Sequence, residues 1–252
     1  MSILEVKELT KAYGKENKHL ILKNINLQVK QGEFISIMGP SGSGKSTLLY
    51  TISGMDKMTT GSILFDGQEL SSLSESKLAQ LRLVKMGFIF QQIHLLKNQS
   101  IFDNIILSAY LAKKYSRDVI NQRAMELMKK VGISNLASHD ITQASGGQLQ
   151  RVGICRALIN HPKIIFGDEP TGALNSKTTA EIMDLLVDIH ETGTAIVLVT
   201  HDVKVAMRAE RVLYMIDGQI TGEIKLGKYR SDRTALRMRE EQLSKWLTKN
   251  DF

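Results

Sequence analysis

The feature that most constrains this chain is an eight-residue loop, Gly39-Pro40-Ser41-Gly42-Ser43-Gly44-Lys45-Ser46, of the form G-x-x-x-x-G-K-[ST]. An apolar run at 34–38 predicts a buried strand before the loop, and residues 47–52 predict a helix after it. Glycines let backbone N–H groups approach an anion closely, and a helix N-terminus adds unpaired donors and the positive end of its dipole. The strand, loop and helix together predict a binding site for nucleotide phosphates.

The last residues of the loop have separate predicted tasks. Lys45 can reach the β- and γ-phosphates, and the Ser46 hydroxyl is placed to ligate Mg²⁺. The alternative is a glycine-rich turn with a stray lysine, a match that residue frequencies would produce in roughly one chain of this length in a hundred. We therefore predict nucleotide contacts from Gly39, Pro40, Ser41, Gly42, Ser43, Gly44, Lys45, Ser46 and Thr47.

Two adjacent carboxylates follow the apolar run at 163–166. The C-terminal end of such a buried strand lies beside the phosphate loop, where Asp168 can hold Mg²⁺ directly or through water. Glu169 is then placed to orient or to deprotonate an attacking water molecule. An ordinary acidic turn is the alternative, and the position downstream of a phosphate loop favours the catalytic interpretation.

A second glycine-containing helix start lies at 144–148. Ser145 can cap the helix that begins near Gln148, while Gly146 and Gly147 expose backbone donors. One compact fold cannot easily direct two such helix ends at one γ-phosphate, so we infer that this end closes over the nucleotide of a second copy. Two copies related by a two-fold axis would then share two sites. A plain serine cap is the alternative.

Composition limits the class of protein. The 252 residues could form one large α/β domain or two small ones, and 42% hydrophobic with 23% charged residues argue against disorder. Cys155 is the one cysteine, so no intrachain disulfide can form, and we expect it to be a small buried residue. The net charge of +7 permits an anionic partner, but the lysines and arginines are spread along the chain, and we predict no nucleic acid.

The sequence shows no element of its own for entering a membrane. Nothing near Met1 resembles a signal peptide, and no apolar run approaches the ~20 residues that span a bilayer. Any membrane role is therefore expected to come through a partner.

Hydrophobic periodicity indicates an α/β architecture. Patterns typical of strands occur at 3–9, 20–30, 62–65, 163–166, 195–199 and 212–216. The signals are mixed between the phosphate loop and about residue 90. From 101 to about 160 they are helical, with a core stripe that includes Ile120, Ala124 and Met128 and a stop at Gly132. These patterns predict a nucleotide-binding α/β core with a mostly helical insertion.

The last segment, 226–252, carries seven Lys/Arg and four Asp/Glu. Leu236, Leu243 and Leu247 are spaced as in one amphipathic helix. We favour a helix that packs on the core through one stripe, and a membrane-surface or partner-docking helix is the alternative.

In this order, the phosphate loop, the Ser145 segment and the two carboxylates resemble the ATP-binding subunit of an ATP-binding-cassette (ABC) transporter over residues 2–225. The resemblance implies a P-loop NTPase core with an N-terminal antiparallel β region and an inserted, mostly helical subdomain at about 92–160. The ATPase domain would span 1–225 and precede the charged helical extension. The resemblance also implies hydrolysis of ATP with Mg²⁺ by a homodimer, held by an integral membrane permease at the cytoplasmic face of the cell membrane.

Some roles are implied by the resemblance alone. Tyr13 would stack on adenine, Gln91 would contact Mg²⁺ and water, and His201 would reach the γ-phosphate. With Glu169, the last two would form the catalytic set. Asn175 departs from the family pattern, which usually has Asp here; it keeps the size and hydrogen bonding of Asp but loses the charge that bears on coupling between the two sites.

Smaller segments resemble one subgroup of the family. They lie at 90–92, 95–96, 103–104 and 171–174. The subgroup contains macrolide-exporter, lipoprotein-release and bacitracin-type antimicrobial-peptide-resistance ATPases, whose permeases have a large extracytoplasmic domain. The length beyond residue 225 is most like the bacitracin-type members.

Three functions remain open from the sequence. The leading one is the ATPase subunit of an exporter or resistance permease. The second is an ATPase in a permease-coupled complex without transport, for signalling through a sensor kinase or for cell division; lipoprotein release is a further alternative. The third is a soluble ABC ATPase acting on nucleic acid or ribosomes, which the absence of sustained heptads in the sequence disfavours.

Overall fold

The computed structural model describes residues 1–14, 19–229 and 233–250. Its strands, in chain order, are β1 (Ser2–Tyr13), β2 (His19–Lys30), β3 (Phe34–Met38), β4 (Thr60–Phe65), β5 (Gln68–Glu69), β6 (Met86–Phe90), β7 (Ile164–Asp168), β8 (Ala195–Val199), β9 (Arg211–Ile216) and β10 (Gln219–Lys225). Its α-helices are α1 (Lys45–Ile52), α2 (Glu75–Lys85), α3 (Ile101–Ala112), α4 (Arg117–Lys130), α5 (Gly146–Leu158), α6 (Ser176–Glu191), α7 (Val203–Ala206) and α8 (Arg233–Lys249).

The larger sheet has the order β10-β9-β3-β8-β7-β6. Its strands run parallel except for β10, which pairs antiparallel with β9. Every residue of β3 and β8 is buried, as expected for central strands covered on both faces. Asp168 pairs with Phe90 on one side and with Val199 on the other. The carboxyl ends of β6, β7 and β8 therefore meet at one edge of the sheet, and this edge carries the candidate site.

A smaller antiparallel sheet, of order β2-β1-β4-β5, forms the predicted N-terminal β region. β1 continues to Tyr13, beyond the predicted limit at residue 9, because register shifts on both sides of Leu9 break the alternation of buried and exposed residues. Glu8 takes a positive φ of 49° at this irregularity. Asp66, in the turn after β4, accepts a hydrogen bond from Lys163, which precedes β7, and so ties the two sheets together.

The region between the phosphate loop and residue 90 contains β4, β5, α2 and β6. Its sequence signal is mixed because, among the described residues of α2, Leu78 and Leu81 are the buried ones, too few for a clear helical stripe. The start of α2 has a local cause, since the Ser74 hydroxyl accepts a hydrogen bond from the N–H of Lys77.

Helices α3, α4 and α5 pack against one another within the range predicted for the helical insertion. Ile120, Ala124 and Met128 of α4 are buried, which confirms that this stripe belongs to the core. Gly132, with a φ of 73°, follows the end of α4. Burial raises the pKa of the Cys155 thiol on α5 to about 12, so the group stays protonated at neutral pH.

The C-terminal helix α8 packs on the core through one apolar stripe. Leu243 and Leu247 are buried, and the rings of Trp246 and Tyr214 meet edge-on with centroids 6.1 Å apart. Residues 230–232, 251 and 252 of the predicted extension lie outside the described part of the chain. The division at residue 225 stays a prediction.

Candidate active site

The phosphate loop joins β3 to α1, and parts of its backbone require glycine. Gly39 has a φ of +149°, and a Cβ at this position would lie 2.0 Å from the carbonyl oxygen of Met215. Gly44 is the N-cap of α1 and has a φ of 95°. Because no side chain caps this helix start within the described range 19–229, its first N–H groups remain available to an anion.

Lys45 is buried against the loop. Its Nζ donates hydrogen bonds to the carbonyl oxygens of Gly39 and Pro40, at 2.9 and 2.7 Å. Burial lowers the pKa of Lys45, and the nearby carboxylates of Glu169 and Asp168 act in the opposite direction. The ammonium group thus lies close to both the loop and the carboxylates, where it can exchange carbonyl oxygens for phosphate oxygens.

Asp168, the last residue of β7, is held by two hydroxyl groups of α1. Ser46 Oγ donates to Asp168 Oδ1 at 2.9 Å, and Tyr50 Oη donates to Asp168 Oδ2 at 2.6 Å. The hydroxyl and the carboxylate that the sequence predicts to serve Mg²⁺ are therefore adjacent. Tyr50 was not predicted, although its position four residues after Ser46 places both side chains on one face of the helix.

Glu169 sits in a left-handed backbone conformation, with a φ of 44°. Its N–H donates to the carbonyl of Val199, at the end of β8, at 3.0 Å. Its Oε1 lies 3.0 Å from His201 Nδ1. A Cβ on Gly172 would meet Gln91 Nε2 at 2.9 Å and Glu169 Oε2 at 3.3 Å, so the three predicted catalytic side chains converge around Glu169.

An open cleft of about 650 Å³ collects many of the predicted residues. The described residues that line it are Ile21, Ser41, Gly42, Gly44, Lys45, Ser46, Thr47, Glu169 and His201. Gly39 and Ser43 are buried in the loop itself. The cleft thus brings the phosphate loop and the carboxylate of Glu169, which the sequence predicts to be catalytic, to one place.

Tyr13 lies at the end of β1, with 46% of its surface exposed. Its hydroxyl donates a hydrogen bond to Asp56, and this bond raises the pKa of Tyr13. The Nζ of Lys11 also donates to Asp56 and lies 4.4 Å from the centroid of the Tyr13 ring. Asp56 was not predicted. It fixes the tyrosine ring in place, and its only sequence signal is its position shortly after α1.

The Ser145 segment starts α5 and lies elsewhere on the molecule. Ser145 Oγ accepts from the N–H of Gln148 at 3.3 Å, and Gln148 Oε1 accepts from the N–H of Ser145 at 2.8 Å. This reciprocal pair is a capping box. Ser145 and Gly146 are exposed, and among the described residues none of 145–148 lines the cleft.

Asn175 has a structural task that the sequence did not reveal. It is the N-cap of α6, and its Oδ1 accepts a hydrogen bond from the N–H of Thr178 at 2.9 Å. A Cβ on Gly147 would lie 2.6 Å from Thr178 Cγ2, so this cap adjoins the Ser145 segment. Asn and Asp are about equally good caps, which explains how Asn is accommodated here.

The chain is similar to known proteins in both sequence and structure. A family model described as "ABC transporter" matches residues 22–172. The chain is 44% identical over 232 residues to the ABC transporter ATP-binding protein MJ0796 of Methanocaldococcus jannaschii, covering 89% of this chain and 97% of that protein. A dimeric structure of MJ0796 in a post-hydrolysis state bound to ADP and Pi matches with a TM-score of 0.83 at 42% identity, covering 90% of this chain and all of the other.

A further relative combines two functions in its name. The macrolide export ATP-binding/permease protein MacB of Mannheimia succiniciproducens is 42% identical over 221 residues. The match covers 87% of this chain but 34% of that protein, so the chain spans about a third of its length. Within the part of the chain that the structure describes, no helix is both long and apolar enough to cross a membrane.

Proposed function

The chain belongs to the ABC transporter family as one of its ATPases, and from this premise we propose that two copies enclose two ATP molecules and drive a membrane permease. MJ0796, which is similar over nearly its whole length, is dimeric with ADP and Pi bound. MacB, which is similar over a third of its length, is named as both ATP-binding protein and permease. These likenesses support the dimer and the permease partner.

The position of the Ser145 segment is the structural observation that best supports a dimer. It is a preformed helix start with exposed glycine, yet it lies outside the cleft that holds the phosphate loop. A second copy, turned by a two-fold axis, can bring the Gly146 and Gly147 N–H groups to the open side of the cleft. Each site would then be built from both chains.

ATP binding would use the cleft together with the side chain of Tyr13. The phosphate loop and the free N–H groups of α1 would hold the β- and γ-phosphates, with Lys45 exchanging its carbonyl partners for phosphate oxygens. Tyr13 would stack on adenine, because Asp56 fixes its hydroxyl while half of the side chain remains exposed.

Mg²⁺ fits the donor set at the edge of the sheet. The Ser46 hydroxyl and the Asp168 carboxylate are adjacent hard oxygen donors, and the side-chain amide of Gln91, which lies close to Gly172, would supply a further oxygen. The ion would neutralise charge that develops on the phosphate oxygens.

Hydrolysis would depend on Glu169. Its Oε1 lies 3.0 Å from His201 Nδ1, and the side chain lines the cleft together with the phosphate loop, where it would align or deprotonate water. His201 would reach the γ-phosphate from the same wall of the cleft. Gln91 directly follows β6 and would help to hold Mg²⁺ and water.

A groove beside Gln91 offers a place for the permease. It has a volume of about 390 Å³, and its lining is largely apolar. The described residues that line it are Met55, Ala79, Arg82, Leu83, Met86, Gly87, Phe88, Phe90, His94, Ser108, Arg156, Ala157 and Asn160. Phe90 immediately precedes Gln91, so a permease segment seated in the groove would contact the nucleotide site through one residue. The chain would thereby be held at the cytoplasmic face of the membrane.

The subgroup remains part of the proposal. The likeness to MacB supports a permease with a large extracytoplasmic domain, serving antibiotic or antimicrobial-peptide resistance or export. The rival assignments, lipoprotein release and a permease-coupled complex without transport, use the same ATPase and differ in the permease. Co-purification of the chain with its membrane partner separates them.

The Glu169→Gln variant tests the central claim. Its hydrolysis rate should fall by about 10² or more because the carboxylate is lost, while ATP binding persists and ATP-dependent dimers accumulate. Gel filtration with ATP and Mg²⁺ measures the dimers, and phosphate release measures the rate. Glu191→Gln, at an exposed position near the end of α6, is the matched control. Turnover of Glu169→Gln at the wild-type rate would refute the role of Glu169, and a monomeric ATP-bound form would refute the dimer.

A further inference from the structure

The carboxylate of Asp168 is held at both oxygens by one helix. Ser46 and Tyr50, four residues apart on α1, donate to Oδ1 and Oδ2 at 2.9 and 2.6 Å. Ser46 has a predicted role at the metal, but Tyr50 has none. A hydroxyl so close to this carboxylate calls for its own explanation.

The surroundings of Tyr50 keep its hydroxyl a donor with a fixed direction. The Tyr50 ring packs against Phe90, with centroids 6.5 Å apart. The phenol carries one hydrogen, and it donates this hydrogen to Asp168 Oδ2. A phenol held by its ring can serve only one of the two carboxylate oxygens.

We propose that Tyr50 is a positioning residue for the metal-binding carboxylate. By holding Oδ2, it fixes the rotation of the Asp168 carboxylate so that Oδ1 faces Ser46, where Mg²⁺ would bind. Partners of metal ligands typically change metal affinity by about 10- to 100-fold when they are removed. This inference rests on the metal role of Asp168 within the proposed function.

The Tyr50→Phe variant keeps the ring and removes the donor. The Mg²⁺ concentration for half-maximal ATPase activity should rise about tenfold, and the affinity for Mn²⁺ in the presence of ATP, measured by electron paramagnetic resonance, should fall equally. ATP affinity in EDTA should stay within about twofold of wild type, because the phosphate loop is untouched. Tyr110→Phe is the matched control, since its hydroxyl donates to Asn121 in the helical subdomain at 2.8 Å.

The outcomes separate this inference from the proposed function. Unchanged metal dependence in Tyr50→Phe overturns the positioning role. An equal loss of ATP affinity in EDTA also overturns it, because the tyrosine would then support the phosphate loop instead. If Asp168→Asn itself leaves metal dependence unchanged, the metal role of Asp168 fails, and that result is independent of Tyr50.

Discussion

The two glycine-containing helix starts of this chain solve the same physical problem in opposite ways. Unpaired N–H groups at a helix start need partners. At α5 the chain supplies one of them itself, because the Ser145 hydroxyl of the capping box accepts a hydrogen bond from the N–H of Gln148. At α1 the N-cap is Gly44, which has no side chain to offer, and the N–H groups remain open toward the cleft. A capped start is stable by itself and suits a surface that meets a partner, whereas an uncapped start depends on a ligand.

The residues around the two helix starts also differ. The start of α1 adjoins Lys45 and the carboxylates of Asp168 and Glu169, which supply charge for binding and chemistry. The start of α5 adjoins Thr178 and the cap of α6, which supply only packing. These differences support the proposal that the first helix start serves binding and hydrolysis and that the other closes over the nucleotide of a second copy.

Removal of Lys45 should produce the largest effect. In Lys45→Met the phosphate oxygens lose their buried cation, so ATP affinity should fall by about 100-fold or more. Titration with a fluorescent ATP analogue measures this loss. Lys129→Met, on the exposed face of α4, is the control. If Lys45→Met binds ATP with nearly wild-type affinity, the start of α1 does not bind phosphate through Lys45.

Ser145→Arg should separate the two helix starts. The bulky cation at the proposed interface should abolish ATP-dependent dimers and reduce hydrolysis by at least about tenfold, while ATP affinity of the single chain stays within about twofold. Analytical ultracentrifugation and the same titration measure both quantities. Ser116→Arg is matched, because Ser116 caps α4 in the same way on an exposed surface. If Ser145→Arg still forms dimers in the presence of ATP, the Ser145 segment does not lie at the dimer interface.

Asn175 tests whether a cap beside the Ser145 segment is structural, electrostatic or both. Asn175→Ala should lower the free energy of unfolding by about 1 kcal/mol through loss of the cap, and Asn175→Asp should leave it nearly unchanged. Denaturant unfolding measures the difference. If the charge couples the two sites, Asn175→Asp should also alter turnover or its cooperativity. Unchanged kinetics in Asn175→Asp would mean that the lost charge is immaterial.

Acid pH should weaken the contribution to stability of Asp56, which follows the C-terminal end of α1. It should not affect the α5 cap, whose two side chains do not titrate. Burial would raise the pKa of Asp56, but hydrogen bonds from Lys11 and Tyr13 outweigh it and hold the pKa below its usual value. A lowered carboxyl pKa stabilises the fold above the unfolded-state value of about 3.9, and this contribution disappears as pH falls through the folded-state pKa.

The effect of Asp56 should be the smallest of the four. Because solvent screens the group, we expect at most about 1 kcal/mol. The free energy of unfolding of wild type should exceed that of Asp56→Asn by this amount near pH 6, and the two should converge once the pH falls below the lowered folded-state pKa of Asp56. A constant difference between the two unfolding curves at all pH values would contradict the assignment. Asp118→Asn, in the first turn of α4, is the control.

Patterns within short stretches of sequence predicted the limits of several strands and helices. The strands at 34–38 and 195–199 were predicted at their observed limits, because continuous apolar runs leave little doubt about burial. The helix after the phosphate loop begins at Lys45, two residues before the predicted start, because Gly44 ends the loop in a left-handed conformation. α2 escaped prediction because it buries so little of its surface.

The sequence by itself determined the family, the phosphate loop, the two carboxylates and the capped start of α5, since each is a local arrangement of neighbouring residues. Only the tertiary structure decided which side chains serve one another. Ser46 and Tyr50 lie 122 and 118 residues from Asp168, and no local pattern links them. The parallel sheet brings the ends of distant strands to one edge, and this long-range register, set by burial of the whole core, created the Tyr50 contact and separated the Ser145 segment from the cleft.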